Sequence, residues 1–302
     1  MYIADMHNDS LLTVSADCGL ISKYNLSNSR PQLQFFAGFV PCDGRPPELR
    51  RHELMKLSNI YLWETERLGL TNVKDVRELI SAIDEKRHAA MFTVEGGGGL
   101  FAESEELYTL YKMGLRVLSP VWDTNELGCS CYEENDTGLT VAGKRLCLAC
   151  DALGITLDVS HLSDRGFFDL FELVGSPIIA THSNFRDITP SKRNLTLDMA
   201  KAIAERGGVI GLNLYPAFLN ESGTADITDI IRHIDYALEH LGDRVLGFGF
   251  DIDGTEGHYP KGFSEGESIH DILIEEISKR YGDGTLARLA GENVTDFLKG
   301  AL

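Results

Sequence analysis

The chain has 302 residues, of which 43% are hydrophobic and 25% are charged, a composition typical of a globular protein with ample material for a core. Its formal net charge of −18, from 46 acidic and 28 basic residues, argues against a nucleic-acid-binding protein and against one that binds an anionic membrane surface. No apolar stretch approaches the roughly 20 residues of a membrane helix, and the first residues lack the pattern of a secretory signal. We therefore expect a cytoplasmic protein.

The cysteines form no pattern typical of a zinc finger or a disulfide framework. Cys147 and Cys150 make a single CxxC within GKRLCLACDALG, which reads as a helix, and no second pair lies at zinc-finger spacing. We expect these two side chains to be buried as small hydrophobic groups. All six cysteines are expected to be reduced, at positions Cys18, Cys42, Cys129, Cys131, Cys147 and Cys150.

Segments rich in β-branched and aromatic residues alternate with amphipathic segments along the chain. Helical patterns such as 53–69, 104–114 and 198–208 end in glycine, the favoured residue just past a helix C-terminus. From about residue 265 onward the pattern predicts further helices. The predicted strands are, in chain order, 2–9, 34–40, 89–96, 115–122, 155–161, 177–183, 208–215 and 245–253.

Eight strand–helix repeats in about 250 residues predict an α/β fold of the (β/α)8 TIM-barrel class, with additional C-terminal helices. The chain contains no linker, no repeat of fixed period and no low-complexity run, so residues 1–302 are expected to form a single domain. An open, doubly wound parallel sheet is the alternative, because the number of strands alone does not decide whether a sheet closes.

Polar residues able to bind metals or move protons fall at the ends of the predicted strands, where barrel enzymes build their active sites. Clustered carboxylates repel one another and are costly to bury without a compensating cation. Imidazole and carboxylate groups without cysteine suit zinc or a similar first-row ion. The residues concerned are His7, Asp9, Glu95, His161, His182, Asp251 and Asp253.

Five ligands are too many for one tetrahedral zinc ion but suit two ions that share a carboxylate. One ion is assigned to His7, Asp9 and Glu95, and the other to Glu95, His161 and His182, with Glu95 bridging them. Two ions about 3.5–4 Å apart lower the pKa of a shared water and stabilise developing charge, which predicts a hydrolase. The four glycines at 96–99 allow the backbone to turn sharply and to approach a ligand closely.

The motifs resemble, in order and spacing, those of the membrane (renal) dipeptidase family of zinc hydrolases over nearly the whole chain. The resemblance implies a barrel with two zinc ions that cleaves dipeptides, including some with a D-residue at the C-terminal position, and it suggests a homodimer by analogy. The motifs that carry it are HND, VEGG, DVSH, THSN, RN and GFDIDG.

Individual roles follow from the same resemblance. The five residues assigned above match the family's zinc ligands, with Glu95 bridging. Arg193 matches an arginine that holds the free carboxylate of the substrate, as the guanidinium fork allows. Asp251 matches an aspartate that handles the proton and the substrate amine, while Asp253 either shares this role or hydrogen-bonds the following loop. Tyr215 is a weaker candidate for lining the substrate pocket.

The sequence departs from the family pattern at Trp122, which stands where the family typically has a histidine that contacts the substrate carbonyl or the developing oxyanion. An indole donates one hydrogen bond but cannot shuttle a proton, and losing an oxyanion donor can lower turnover by about 10²–10³. His258, in the loop after the eighth predicted strand, is a candidate substitute at the mouth of the barrel.

Three functions remain open from the sequence. The leading hypothesis is a zinc-dependent dipeptidase that uses a water bridging two metal ions. The alternative, motivated by Trp122, is a related amidohydrolase acting on a cyclic amide, a lactone or an N-acyl amino acid. The third is a metal-holding barrel without catalysis, and the presence of Asp251 argues against it because a scaffold needs no proton acceptor at that position.

Overall fold

The structure is a computed structural model that describes residues 1–15, 30–263 and 269–302. Cys18 lies outside the described residues, and the other five cysteines are free thiols. Cys147 and Cys150 are buried on one helix, as predicted from their spacing. Within the described ranges, no helix combines the length and the apolar character needed to cross a membrane.

The strands of the described chain form one sheet in which every pairing is parallel, so the predicted parallel α/β sheet is confirmed. Neighbours follow the order β6-β5-β4-β2-β1-β8-β7, and β3 pairs with β4 beside this path. The strands are β1 (Ile3–Asp5), β2 (Gln32–Phe39), β3 (Thr71–Asn72), β4 (Ala89–Glu95), β5 (Leu115–Ser119), β6 (Thr156–Leu157), β7 (Ile210–Leu212) and β8 (Leu246–Phe248).

The predicted strand 177–183 forms only isolated bridges rather than a regular strand. Ile179 pairs with Asp158, just after β6, and Ala180 pairs with Ile210 of β7, both in the parallel sense. The segment therefore connects the two ends of the sheet order through single bridges. The sequence analysis also missed β3, because a strand of two residues gives no alternating pattern.

Helices alternate with the strands and continue after the last one, as the sequence predicted. They are α1 (Ser10–Ser15), α2 (Pro47–Leu68), α3 (Val76–Asp84), α4 (Glu105–Met113), α5 (Val141–Leu153), α6 (Asp164–Leu173), α7 (Leu197–Glu205), α8 (Pro216–Leu219), α9 (Ile227–Leu241), α10 (Ile269–Ala287) and α11 (Asn293–Ala301), with a π-helical turn at Arg288–Glu292 between the last two.

The helix boundaries follow from capping residues in the sequence. The side chain of Asp226 caps the first turn of α9, and Asp229 completes a reciprocal capping box. The Thr140 hydroxyl caps α5 by accepting a hydrogen bond from the backbone N–H of Gly143. Gly69 ends α2 at φ 67°, a left-handed conformation that glycine adopts without a steric penalty.

Both faces of the sheet are buried, which explains why the strands read as nearly continuous apolar runs. Phe35 and Phe36 are neighbours on β2, point to opposite faces and are both fully buried. Val294 and Leu298 of α11 pack in the same cluster as Ala4 of β1, so the two ends of the chain share a core. Within the strands there is little room for charged groups, and these collect where the strands end.

Candidate metal centre

The carboxyl ends of several strands bring the predicted ligands together. His7 and Asp9 follow β1, Glu95 ends β4 and His161 follows β6, while His182 lies two residues beyond the bridge at position 180. Their ligand atoms form overlapping groups in which all atoms lie within 4.8 Å of one another. The groups are His7–Asp9–Glu95, Glu95–His161–His182 and His7–His182–Asp251. The first two contain the same residues that the sequence analysis assigned to two ions.

Glu95 lies between the two groups and directs a different oxygen to each. Its Oε1 is 2.9 Å from His161 Nε2 and 3.1 Å from His182 Nε2. Its Oε2 is 3.6 Å from His7 Nε2, which is 3.3 Å from Asp9 Oδ2. This is the arrangement that a carboxylate bridging two cations requires.

Three atoms of these groups are buried without a hydrogen-bond partner among the described residues: His7 Nε2, Asp9 Oδ1 and Glu95 Oε1. Each of the three residues is at most 4% exposed. An unpaired buried polar atom costs about 1–3 kcal/mol, and more when it is charged, so the cluster is unfavourable as it stands. A divalent cation would satisfy all three atoms, and imidazole with carboxylate suits zinc or another first-row ion.

Burial and the neighbouring charges also shift the pKa values of the residues in the cluster. Burial lowers the pKa of His7, but the carboxylates of Glu95 and Asp9 outweigh burial and hold it well above its usual value. Burial raises the pKa of Asp9 to about 7. Burial lowers the pKa of His161 to about 4 and that of His182 well below its usual value. These two imidazoles are therefore neutral at pH 7, which is the form that coordinates a metal.

The backbone is strained at several of these positions. His161, Asp251 and Asp253 adopt φ values of 70°, 61° and 66°, in the left-handed region that non-glycine residues rarely enter. Such conformations cost on the order of 1–3 kcal/mol each and cluster at functional sites. The side chain of Asp253 accepts a hydrogen bond of 2.6 Å from Ser10 Oγ, and Asp253 belongs to none of the ligand groups.

Asp251 is oriented by an asparagine that the sequence analysis missed. Asn213 Nδ2 donates to Asp251 Oδ2 at 3.0 Å, and Asp251 Oδ1 lies 3.8 Å from His7 Nε2. Burial raises the pKa of Asp251. Asn213 is itself fixed by Asn184, with which it exchanges hydrogen bonds of 3.0 and 2.9 Å. A buried amide within the apolar run GLNLY was the available signal for Asn213.

A cavity of about 240 Å³ opens in front of the ligand groups. Trp122 lies on its wall with its ring centroid 5.8 Å from that of His161, and Tyr215 also lies on the wall, while a role for either residue in substrate binding stays a prediction. His258 is exposed and is not among the lining residues, although its ring lies 6.4 Å from that of Tyr215. Tyr132, which the sequence analysis did not single out, does lie on the cavity wall. The wall is formed by Asp9, Glu95, Trp122, Asp123, Tyr132, His161, His182, Tyr215, Phe218, Asp251, Gly254, Thr255 and Glu256.

Arg193 lies behind His182 and is only 3% exposed. Its Nη2 donates to the backbone oxygen of His182 at 2.8 Å and its Nη1 to Ser183 Oγ at 2.7 Å. Its Nε is buried without a hydrogen-bond partner in the described part of the chain. Because Arg193 is not among the lining residues of the cavity, carboxylate binding by this residue stays a prediction.

Sequence comparison identifies relatives along the whole chain. The family model for membrane dipeptidase (peptidase family M19) matches residues 1–301. An uncharacterized protein from the pqqA 5′ region of Klebsiella pneumoniae is 36% identical over 182 residues, covering 57% of this chain and 67% of that protein. Dipeptidase 3 of Mus musculus is 25% identical over 273 residues, covering 86% of this chain and 54% of its own length. The matches thus cover about half to two thirds of these curated relatives.

Solved structures match over the full length. A metallopeptidase from Rhodobacter sphaeroides, crystallised with a phosphinate mimic of the dipeptide L-Ala-D-Ala, gives a TM-score of 0.87 at 26% identity and covers 100% of this chain and 99% of its own. A dipeptidase of family M19 gives a TM-score of 0.86 at 27% identity, covering 99% and 98%. Since the family model matches nearly every residue, the chain belongs to the membrane dipeptidase family of metallopeptidases, peptidase family M19.

Proposed function

We propose that this protein hydrolyses the peptide bond of dipeptides at a centre of two zinc ions. The observation that carries the proposal is the pair of ligand groups that share Glu95 in front of a small cavity. A relative bound to a mimic of L-Ala-D-Ala supports a dipeptide substrate and a D-residue at its C-terminal position. The cytoplasmic location and the homodimer remain proposals from the sequence and the family resemblance.

Two sets of residues would hold the ions: His7, Asp9 and Glu95 for one, and Glu95, His161 and His182 for the other. When bound, the two ions would lower the pKa of a shared water and polarise the scissile carbonyl. The unpaired buried atoms of His7, Asp9 and Glu95 support this assignment, since a cation would complete their interactions.

The proton is assigned to Asp251. Its Oδ1 lies near His7, while its Oδ2 is held by Asn213, so one oxygen is free to accept a proton from the attacking water and return it to the leaving amine. Burial raises its pKa, which favours a carboxyl that can hold this proton during the reaction. Arg193 would select a free carboxylate, a role that rests on its match to the family arginine, because its guanidinium is buried outside the cavity wall.

We propose that residues 1–302 form a single domain with a closed barrel. The segment 177–183 would be the barrel strand between β6 and β7, and β3, which lies beside the main path of the sheet, would not be counted among the eight. The parallel bridges of Ile179 and Ala180 support closure between β6 and β7. Backbone bonds from Ile179 N to Leu157 O at 3.1 Å and from Ala180 N to Val209 O at 3.0 Å support it further. His182 would then stand at the carboxyl end of a barrel strand, like the other ligands.

The cavity favours small and cationic substrates. Its volume of about 240 Å³ is below the range of drug-sized ligand pockets and suits a dipeptide. Asp123 and Glu256 lie on its wall outside the ligand groups, and neither forms an ion pair within the described ranges. Together with the aromatic walls, these carboxylates favour a dipeptide with a basic side chain, through ionic and cation–π attraction.

Trp122 favours a second candidate function, an amidohydrolase that acts on a cyclic amide, a lactone or an N-acyl amino acid. The indole stands on the cavity wall, with its ring centroid 5.8 Å from that of His161. A cyclic amide or a lactone without a cationic group would make less use of Asp123 and Glu256, so the two functions differ in the charge of the preferred substrate.

The test combines metal analysis with a substrate panel. We expect about two zinc ions per chain and cleavage of dipeptides, with slower cleavage when the C-terminal carboxylate is amidated. The panel includes basic and neutral dipeptides, lactones and N-acyl amino acids. Protein that binds no zinc, or zinc-loaded protein that cleaves no dipeptide, would contradict the proposal; cleavage of lactones or N-acyl amino acids alone would support the second candidate.

A further inference from the structure

A row of buried polar side chains lies behind His182, outside the cavity wall. Thr181 Oγ1 is 2.6 Å from Asp158 Oδ2 and 2.8 Å from His182 Nδ1. All three residues are at most 3% exposed. Asp158 and Thr181 contribute to none of the ligand groups, so the metal centre as described leaves them without a function.

The number of protons available in this row decides which atom donates and which accepts in each of its hydrogen bonds. The carboxylate of Asp158 only accepts: its Oδ1 takes backbone N–H bonds of 2.9 Å from Ser160 and from Thr181, and its Oδ2 takes the hydroxyl of Thr181. Because a threonine hydroxyl has a single proton, Thr181 Oγ1 must act as the acceptor toward the imidazole. The proton between Thr181 and His182 therefore belongs to Nδ1 of His182.

A neutral imidazole that carries its proton on Nδ1 has a free lone pair on Nε2. In His182 this nitrogen lies 3.1 Å from Glu95 Oε1 and 3.0 Å from His161 Nε2, within one of the ligand groups. The lone pair therefore faces the position that the proposed ion would take. The opposite tautomer would direct a proton there instead.

We infer that Asp158, acting through the hydroxyl of Thr181, fixes His182 in the tautomer whose Nε2 lone pair faces Glu95 and His161. Both are positioning residues, and their relevance to zinc rests on the proposed function. The backbone holds the row in place, because Asp158 and Ile179 pair as a parallel bridge and the amide of Thr181 is bound to Asp158. The carboxylate of Asp158 thus orients the imidazole of His182 through the hydroxyl of Thr181.

The tautomer can be measured without metal or substrate. Nitrogen NMR of the chelator-treated protein, labelled with ¹⁵N at histidine, distinguishes protonated from unprotonated ring nitrogens. His182→Gln assigns the signals by their disappearance. We expect a protonated Nδ1 and an unprotonated Nε2 at His182; the reverse assignment would overturn the inference.

Asp158→Asn provides a test with a defined sign. An amide that keeps its oxygen toward the two backbone N–H groups presents Nδ2 as a donor to Thr181 Oγ1. The hydroxyl proton is then released from Asp158 and can be donated to His182 Nδ1, which would move the proton of the imidazole to Nε2, the wrong tautomer for a ligand. An Nε2–H tautomer is expected in this variant, and an unchanged tautomer in a folded Asp158→Asn protein would contradict the inference.

Zinc affinity gives an independent readout, measured by competition with a chromophoric chelator. Thr181→Val removes the hydroxyl at nearly constant volume and is expected to weaken binding by about 10–100-fold, the usual effect of losing a group that orients a ligand. Thr181→Ser restores the hydroxyl and should restore affinity. Thr189→Val is the matched control, because Thr189 is also buried, with its hydroxyl 3.5 Å from the ring of His233.

The two proposals fail separately. Dipeptide cleavage by a parent protein whose His182 carries its proton on Nε2 would overturn the inference and leave the function standing. If the protein shows the expected tautomer but cleaves no dipeptide, the proposed function is overturned and the inference about His182 stands. Equal zinc affinity in Thr181→Val and the parent would also overturn the positioning role, even if Asp158→Asn fails to fold.

Discussion

Removing zinc is expected to lower the thermal stability of this protein by an amount that can be calculated. A ligand that binds only the folded state stabilises it by about 2.7 kcal/mol at a free concentration of 100 Kd. For 302 residues, an unfolding entropy of about 2.1 cal/mol/K per residue totals about 0.6 kcal/mol/K. Each occupied site therefore raises Tm by about 4 °C, and two sites raise it by about 9 °C.

The effect should increase with pH. His7 has a pKa well above its usual value, and the pKa of Asp9 is raised to about 7, so both hold protons in the metal-free protein that zinc must displace. At pH values below the pKa of a protonated group, the apparent affinity for zinc rises about tenfold per pH unit for each proton that zinc displaces. This corresponds to about 1.4 kcal/mol of binding free energy, or about 2 °C in Tm. The zinc-dependent rise in Tm is thus larger at pH 8 than at pH 6.

The assay is calorimetric unfolding at fixed free zinc, compared with chelator at each pH. Glu95→Gln removes the carboxylate common to two of the candidate ligand groups and should abolish most of the zinc-dependent rise in Tm. Glu126→Gln is the matched control: Glu126 is a carboxylate paired with Arg50 at 2.7 Å and belongs to no ligand group, so this variant should keep the rise. A Tm unaffected by zinc at pH 8, or a rise that shrinks as pH increases, would refute the reasoning.

Four further predictions concern single residues. Asp251→Asn should lower kcat by about 10²-fold or more without changing zinc content, measured on the same preparation. Arg193→Lys should raise KM about tenfold for dipeptides but leave their C-terminal amides unaffected, since lysine cannot bind a carboxylate bidentately. Trp122→His should raise dipeptide turnover; no rise would weaken the account of the missing histidine. Burial lowers the pKa of His233 to about 4, so its contribution of about 3 kcal/mol is complete above pH 6.5 and lost as pH falls toward 4; His233→Gln should flatten this part of the stability profile in urea titrations.

The sequence predicted the parallel α/β sheet because strands buried on both faces leave a continuous apolar signal. It overestimated the length of most strands. Residues such as Asn8 and Ile252 continue the strand pattern but pair with each other only through an isolated parallel bridge. The segment 177–183 was predicted as a strand because it is rich in β-branched residues, although only Ile179 and Ala180 form bridges.

The candidate ligands were accessible from sequence because each one interrupts an apolar run at its end. The residues that orient them were not. Asp158, Thr181 and Asn213 are polar groups within or beside strands, and their function depends on which neighbour each side chain faces across the sheet. Periodicity along one strand cannot give that pairing, because it arises from the register between segments distant in sequence.

The register also explains how charged groups are tolerated so close to an apolar core. Asp158 is buried, yet its two oxygens accept three hydrogen bonds from Ser160 and Thr181, so its charge is compensated locally. Glu95 has no such set of donors, and its Oε1 is left without a hydrogen bond while two imidazoles crowd it. The same strand ends thus carry one carboxylate whose hydrogen bonds come from the protein itself and one that is a candidate for binding a cation. This difference, rather than the number of acidic residues, separates a structural carboxylate from a candidate metal ligand here.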